Sequence, residues 1–264
     1  MPDWLNGKLV DHATIDVTDR GFTLGDGLFE TMRLSQRMVR HFDRHMARLN
    51  YGANILGIPV PYSEKELTSA IDQLVVANGL ENGVIRLTLT RGPGARGILP
   101  PAVPHPTLVI TMAASSPPLG AARVCISTLV RRNENSPLSS IKTLNYLDAI
   151  LARKDAVDRG FDDVILLNNR GNVAETSVSS IFAVIGGRLY TPPVSDGALQ
   201  GVARGLVIEH MGAQERSMVP ADLFAANEVI LTNALGCRPV TAIDETPILQ
   251  GEIFNRIQSL VDNS

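Results

Sequence analysis

Cysteine is nearly absent from this sequence: Cys125 and Cys237 are the only two in 264 residues. They lie far apart and form no CxxC or other metal-ligand spacing, so neither a disulfide framework nor a zinc site is expected. Long apolar runs are missing too, since no segment approaches the roughly 18 uninterrupted apolar residues of a membrane span. The opening MPDWLNGKLVDHATID carries acidic residues where a signal peptide needs a basic region and an apolar run. An excess of one charge is likewise lacking. Lys and Arg number 24 against 27 Asp and Glu, a formal net charge of −3, and the signs are well mixed. That excludes the electrostatic footprint of a nucleic-acid or membrane binder. These absences together predict a soluble protein of a reducing cytoplasm.

What is there is ordinary globular material, 44% hydrophobic and 19% charged, long enough for about two domains with sizeable cores. Strands are predicted at VIRLTLTRG (84–92) and TLVITMAA (107–114), both rich in β-branched residues. A helix is predicted at RHMARLNYGANILG, with Met46, Leu49, Ala53 and Leu56 as its core stripe and Arg48 at the stripe's border. A second follows from Ser63 to Asn78, opened by a capping box at Ser63 and Glu66. SSPPLG breaks the pattern, which places a linker at 116–121 between an N-terminal domain of residues 1–115 and a C-terminal one of 122–264. HFDRH has the i, i+4 histidine spacing of a helical zinc site but lacks the glutamate of HExxH and a third ligand, which argues against a metal.

Three stretches carry candidate chemistry. RGPGARGILPPAVPHP contains a literal GxGxxG, but prolines follow where the dinucleotide fingerprint needs a helix. It reads as a long loop bearing Arg91 and Arg96, either an anion-gripping lid or plain surface. SPLSSIKTLNYLDAILARKDAVDRG places Lys142 at a loop-to-helix junction. After it Leu144, Leu147, Ile150, Leu151 and Val157 recur at helical steps and predict the buried face. Such a lysine is either an ordinary surface residue or, if partly desolvated, a nucleophile. Downstream, Glu175 stands in a strand-rich run, and Gly201 opens a helix pattern whose free N–H groups form a phosphate cradle. A second cradle is read at TNALGCRPV. A lysine amine, a strand carboxylate, an arginine and two cradles are the parts needed to hold pyridoxal phosphate, although composition and periodicity alone do not pick out that cofactor.

The motifs RGFTLGDGLFETMR, HMARL, IKTLNYLDAILARKDA, GNVAETSVSSIFAV, GALQGVAR and TNALGCRPV occur in the order found in the fold-type IV pyridoxal-phosphate enzymes, and the chain resembles that family over nearly its whole length. The resemblance implies a two-domain α/β (α+β) fold, with a smaller N-terminal α/β domain and a larger C-terminal domain built on a barrel-like sheet. It further implies pyridoxal 5'-phosphate as cofactor and a homodimer. Lys142 becomes the Schiff-base lysine and Glu175 the partner of the pyridine nitrogen. Arg48 becomes a phosphate ligand, joined by the backbone N–H groups of Val202, Ala203, Asn233 and Ala234. Within the family, Phe29 in GDGLFET, Gly97 after Arg96 and the TNAL run resemble 4-amino-4-deoxychorismate lyase, with Phe29 and Arg96 at the substrate. D-amino-acid aminotransferases typically carry a tyrosine at the position of Phe29 and an arginine-x-histidine pair in the loop. SVSSIF is closer to the aminotransferases, which act on D-amino acids, (R)-amines or branched-chain amino acids. Either way the expected partner is a small-molecule amine/carboxylate substrate.

Overall fold

The chain, described over residues 1–263 by a computed structural model, is a mixed α/β protein with two sheets. It divides into two compact units. One comprises residues 1–117 with 141–145, the other 118–140 with the chain from 146 onward.

The N-terminal unit runs β1 (Asp3–Leu5), β2 (Lys8–Val10), α1 (Arg20–Leu24), β3 (Gly27–Ser35), β4 (Met38–Val39), α2 (Phe42–Leu56), α3 (Glu64–Asn78), β5 (Gly83–Thr90) and β6 (Thr107–Ala114). Its sheet has the order β2-β1-β6-β5-β3-β4, with every neighbouring pair antiparallel. Alternation along β5 sends Ile85, Leu87 and Leu89 to one buried face, as the two-residue period of a strand requires. Met46 and Leu49 of α2 and Leu67, Ile71 and Leu74 of α3 share a core with them. The capping box is present: the Ser63 hydroxyl accepts from the Glu66 N–H, and the Glu66 carboxylate accepts from the Ser63 N–H. After the glycines of the GxGxxG stretch no helix forms and the chain runs on to β6, so there is no dinucleotide fingerprint.

Residues 141–145 join this unit although they follow the linker read at 116–121. The Phe29 N–H donates to the Lys142 carbonyl at 3.0 Å, and the Leu144 N–H donates to the Gly27 carbonyl at 3.0 Å. Gly27 makes the approach possible, since a Cβ there would meet the Leu89 carbonyl oxygen at 2.5 Å and Leu144 Cδ1 at 2.8 Å.

The C-terminal unit comprises β7 (Ala122–Arg132), α4 (Leu147–Asp158), β8 (Asp163–Asn168), β9 (Val173–Thr176), β10 (Ser180–Ile185), β11 (Arg188–Thr191), α5 (Val202–Met211), β12 (Gln214–Glu215), α6 (Pro220–Phe224), β13 (Glu228–Asn233), β14 (Gly236–Ile243), β15 (Thr246–Pro247) and α7 (Glu252–Asn263). Its nine-stranded sheet has the order β12-β11-β10-β13-β14-β7-β8-β9, with β15 beside β14. The Thr176 N–H donates to the Ser179 carbonyl at 2.8 Å. That turn carries the terminal strand β9 back toward β10 in the middle of the order, so the sheet curls on itself.

Two expectations change here. Helix α4 starts only at Leu147, and its buried residues are Ala152 and Ala156. Leu147, Ile150, Leu151 and Val157, expected in the core, are all more than half or about half exposed. Alanine, with no side chain beyond Cβ, lets the helix lie close on Cys125, Val164 and Leu166. Both faces repeat at helical spacing, and periodicity alone does not say which one turns inward. The second cradle, read beside the helix start at Gly201, is formed not by a helix but by the turn between β13 and β14, where the Leu235 N–H donates to the Asn233 side chain at 2.9 Å. Among the described residues no helix is long and apolar enough to cross a membrane.

Candidate active site

The expected site residues divide between the two units, with Phe29, Arg48, Arg96 and Lys142 in the N-terminal one. Lys142 is half-buried between the buried Ile141 and Thr143. Its backbone is pinned to the start of β3, and its Nζ lies 4.3 Å from the centroid of the Phe29 ring. The guanidinium of Arg86, from β5, lies 3.8 Å from the same centroid. Phe29, itself only 6% exposed, thus carries two cations at cation–π distance. Arg86 escaped the sequence reading because a charged residue alternating with apolar ones in a strand ordinarily marks the wet face. Arg96 is exposed. Arg91, the other arginine read as a gripper, instead turns inward. It pairs with Asp26 and donates to the carbonyls of Leu56 and Gly57 at 2.7 and 3.0 Å. There it caps the C-terminal end of α2, where unpaired carbonyls need donors.

Arg48 belongs to a buried set. Its Nε and Nη2 donate to the two Glu30 carboxylate oxygens at 2.8 and 2.5 Å, and His45 Nδ1 lies 2.7 Å from Glu30 Oε2. Two of the three guanidinium nitrogens of Arg48 are thus engaged by Glu30. Burial by itself would raise the Glu30 pKa, but the hydrogen bonds and charge of Arg48, with His45, outweigh it and hold the carboxyl below its ordinary range. A carboxyl depressed in this way stabilises the fold above its ordinary pKa and loses that contribution as the pH falls through the acid range. Glu30→Gln, which strips one partner from buried charges, is expected to cost about 3–5 kcal/mol near neutral pH. The gap to the parent should close as the parent's own carboxyl protonates in acid. Urea unfolding across that range reads it, and a gap that stays constant with pH would refute the account.

In the C-terminal unit the remaining residues do come together. Glu175, on β9, accepts the Leu199 N–H at 3.0 Å and pairs with Arg132 Nε at 3.0 Å. Arg132, which the sequence reading missed, is itself tied to the carbonyls of Ser139 and Gly197. Two residues past Leu199, Gly201 caps α5 without any side-chain hydrogen bond, which leaves the first-turn N–H groups of Val202 and Ala203 outside the helical ladder. The site of a Cβ on Gly201 lies 2.8 Å from Ser180 Oγ, Ser180 pairs across the sheet with Thr232, and Asn233 Nδ2 donates to Ser179 Oγ at 3.2 Å. The β9–β10 turn thereby gathers Glu175, the α5 start and the 233–236 turn in one place. Cys237 is not a competing nucleophile, because burial, with a smaller push from Asp262, raises its thiol to about 12.

The profile of the amino-transferase class IV family matches residues 27–243, and the chain belongs to that family. A candidate branched-chain-amino-acid aminotransferase of Methanocaldococcus jannaschii is 33% identical over 98% of this chain and 91% of its own. A D-alanine aminotransferase of Listeria innocua is 30% identical over 94% and 89%. Among solved structures, the 4-amino-4-deoxychorismate lyase of Pseudomonas aeruginosa superposes with a TM-score of 0.88 at 31% identity, over 99% of this chain and 98% of that one.

The family implies pyridoxal phosphate, and the residues present fit it. Beside the two cradles the Thr232 hydroxyl is buried without a hydrogen-bond partner, and a buried polar group of that kind calls for one. The uncapped start of α5 offers further donors to an anion, and Glu175 is a carboxyl acceptor held in place by Arg132 and Leu199.

Proposed function

We propose that the chain is a pyridoxal-phosphate-dependent 4-amino-4-deoxychorismate lyase of folate biosynthesis, releasing p-aminobenzoate and pyruvate. The observation that carries this reading is Phe29 beside Lys142. The aromatic side chain next to the amine has no hydroxyl, and its cationic neighbour is Arg86. Two residues beyond Arg96 stands Ile98, turned outward at 87% exposure. The phenol and imidazole that the resemblance assigns to a D-amino-acid carboxylate grip are therefore both missing.

Arg48 and the N–H groups of Val202, Ala203, Asn233 and Ala234 would hold the cofactor phosphate, and Glu175 would accept from the pyridine nitrogen. Pyridoxal phosphate supplies, when bound, an electron sink conjugated to the amine-bearing carbon. Lys142 takes the proton from that ring carbon as general base. The neighbouring carbon–oxygen bond to the enol ether breaks with its electron pair on oxygen, the departing enolpyruvate takes up a proton to become pyruvate, and aromatisation of the ring drives the step. Arg96 is the guanidinium that would meet a substrate carboxylate, with Arg86 nearby over the Phe29 ring.

A second reading, aminotransferase, is favoured by the SVSSIF run and by the names of the two curated relatives. In it Lys142 would move the proton from the amine-bearing carbon of the substrate, the cofactor would take up the amino group, and a keto acid would leave. D-amino acids, (R)-amines and branched-chain amino acids are its candidate substrates. Both readings bring a cytoplasmic homodimer with them. The exposed Leu147, Ile150 and Leu151 of α4 support the dimer, and light scattering on the purified protein checks it.

A stoichiometric half-reaction decides between the two. Yellow holoenzyme is mixed with aminodeoxychorismate in one cuvette and D-alanine in another while the cofactor spectrum is followed. The lyase returns to its starting spectrum with p-aminobenzoate and pyruvate formed, and D-alanine leaves it unchanged. Conversion to the pyridoxamine form by D-alanine, with no reaction of aminodeoxychorismate, makes the aminotransferase reading the right one.

A further inference from the structure

The connection from β5 to β6, residues 91–106, contains no helix or strand, yet residues 92–99 are tied to one short stretch, residues 18–20. The Arg20 N–H donates to the Gly92 carbonyl at 2.9 Å, the Gly94 N–H donates to the Thr18 carbonyl at 3.2 Å, and Asp19 bridges Pro93. The Arg20 side chain goes further. Its Nη1 donates to the carbonyls of Gly97 and Leu99 at 3.0 and 3.4 Å, and its Nη2 to the carbonyl of Ile98 at 2.8 Å. Its Nε is held by Asp26 at 2.8 Å. Arg20 is only 4% exposed, whereas Ile98 and Leu99 are 87% and 88% exposed.

A buried guanidinium is thus spent on three consecutive carbonyls of a segment that adds little to the core. Core stability does not explain that arrangement; the shape of the loop does. Five donors in a rigid planar fork can fix a backbone where a flexible ammonium cannot. The residue immediately before the first tethered carbonyl is Arg96. We propose that Arg20 is a positioning residue for substrate binding: it fixes the backbone at 97–99 and so presents the Arg96 guanidinium to the substrate carboxylate. This rests on the reading of Arg96 as a carboxylate ligand. An arginine on a fixed backbone has less conformational freedom to lose on binding than one on a loose loop, and the saving appears as affinity.

The test uses holoenzyme and whichever substrate it turns over in the half-reaction, aminodeoxychorismate or D-alanine, since both carry a carboxylate. Arg20→Gln, Arg96→Gln and the double variant are compared for KM and kcat, with amide hydrogen exchange of residues 94–104 followed in parallel. Asp26 keeps Arg91 as a partner in Arg20→Gln. Gly94→Ala is the second variant, because a Cβ there would sit 2.9 Å from Arg20 Cδ and displace the tether while keeping its charge. The expected result is a KM raised about tenfold by Arg20→Gln, as for other groups that orient a ligand-binding side chain, with kcat changed far less. Gly94→Ala should move KM the same way, exchange in 94–104 should rise in both, and the double variant should be no worse than Arg96→Gln alone. An unchanged KM in Arg20→Gln and Gly94→Ala, with a raised one in Arg96→Gln, overturns the proposal and leaves the Arg96 reading standing. An unchanged KM in Arg96→Gln overturns the Arg96 reading and the proposal with it. Multiplying effects in the double variant mean that Arg20 acts on its own account, and also overturn the proposal.

Discussion

Lys142→Ala is expected to abolish turnover in either reaction, by a factor of about 10³ or more, at the upper end of what a positioned general base contributes. The geometry gives the reason for so large a loss. Lys142 is not on a free loop. Bonds from Phe29 and to Gly27 flank it on the rim of the N-terminal sheet, and its amine stands over the Phe29 ring. A water molecule replacing that amine would have neither its basicity nor its fixed place. The alanine variant should also lose the yellow colour of the covalently held cofactor while keeping its fold, because the bonds that pin residues 27–29 to 142–144 are backbone bonds. Absorbance after incubation with pyridoxal phosphate, together with steady-state rates, checks both parts. Retained colour and turnover would show that another residue carries the amine.

Glu175→Gln is expected to lower kcat by about 10²–10³, the usual consequence of removing one preorganised electrostatic group from a reaction centre. One Glu175 oxygen faces the Arg132 guanidinium and the other accepts the Leu199 N–H. These partners fix the direction of the carboxyl group. The amide of glutamine would point a donor at one of two existing donors and would offer no charge to a protonated ring nitrogen. The loss should fall on kcat more than on retention of the cofactor, whose phosphate is assigned to other residues. Stopped-flow half-reaction rates beside an equilibrium titration with pyridoxal phosphate separate the two. A kcat within a few-fold of the parent would remove Glu175 from the electron-sink role.

Lys142 and Glu175 stood out in the sequence as candidates, and most elements were legible there. Ser63 and Glu66 marked the start of α3, the β-branched runs marked β5 and β6, and proline after the glycines of RGPGARG argued against a dinucleotide fingerprint there. What escaped were partners distant along the chain. Glu30 and Arg48 meet across β3 and α2, Arg132 meets Glu175 from β7, and Arg20 meets residues 97–99. Glu30, Arg20 and Arg48 all stood inside the strings RGFTLGDGLFETMR and HMARL, yet nothing in their spacing said that one would neutralise another. Arg91 misled for the same reason, since an arginine at a loop's edge looks alike whether it faces a ligand or caps a helix.

The sequence by itself determined the elements, the ordered motifs, and with them the residue types available for chemistry, because strand alternation, capping and turn signals are local and need only near neighbours. The tertiary structure decided which face of α4 is buried, that residues 141–145 lie along β3, and which buried charge answers which. Those outcomes depend on pairings between segments far apart in the chain, where desolvation makes an unpartnered charge costly and close packing admits alanine where leucine would not fit.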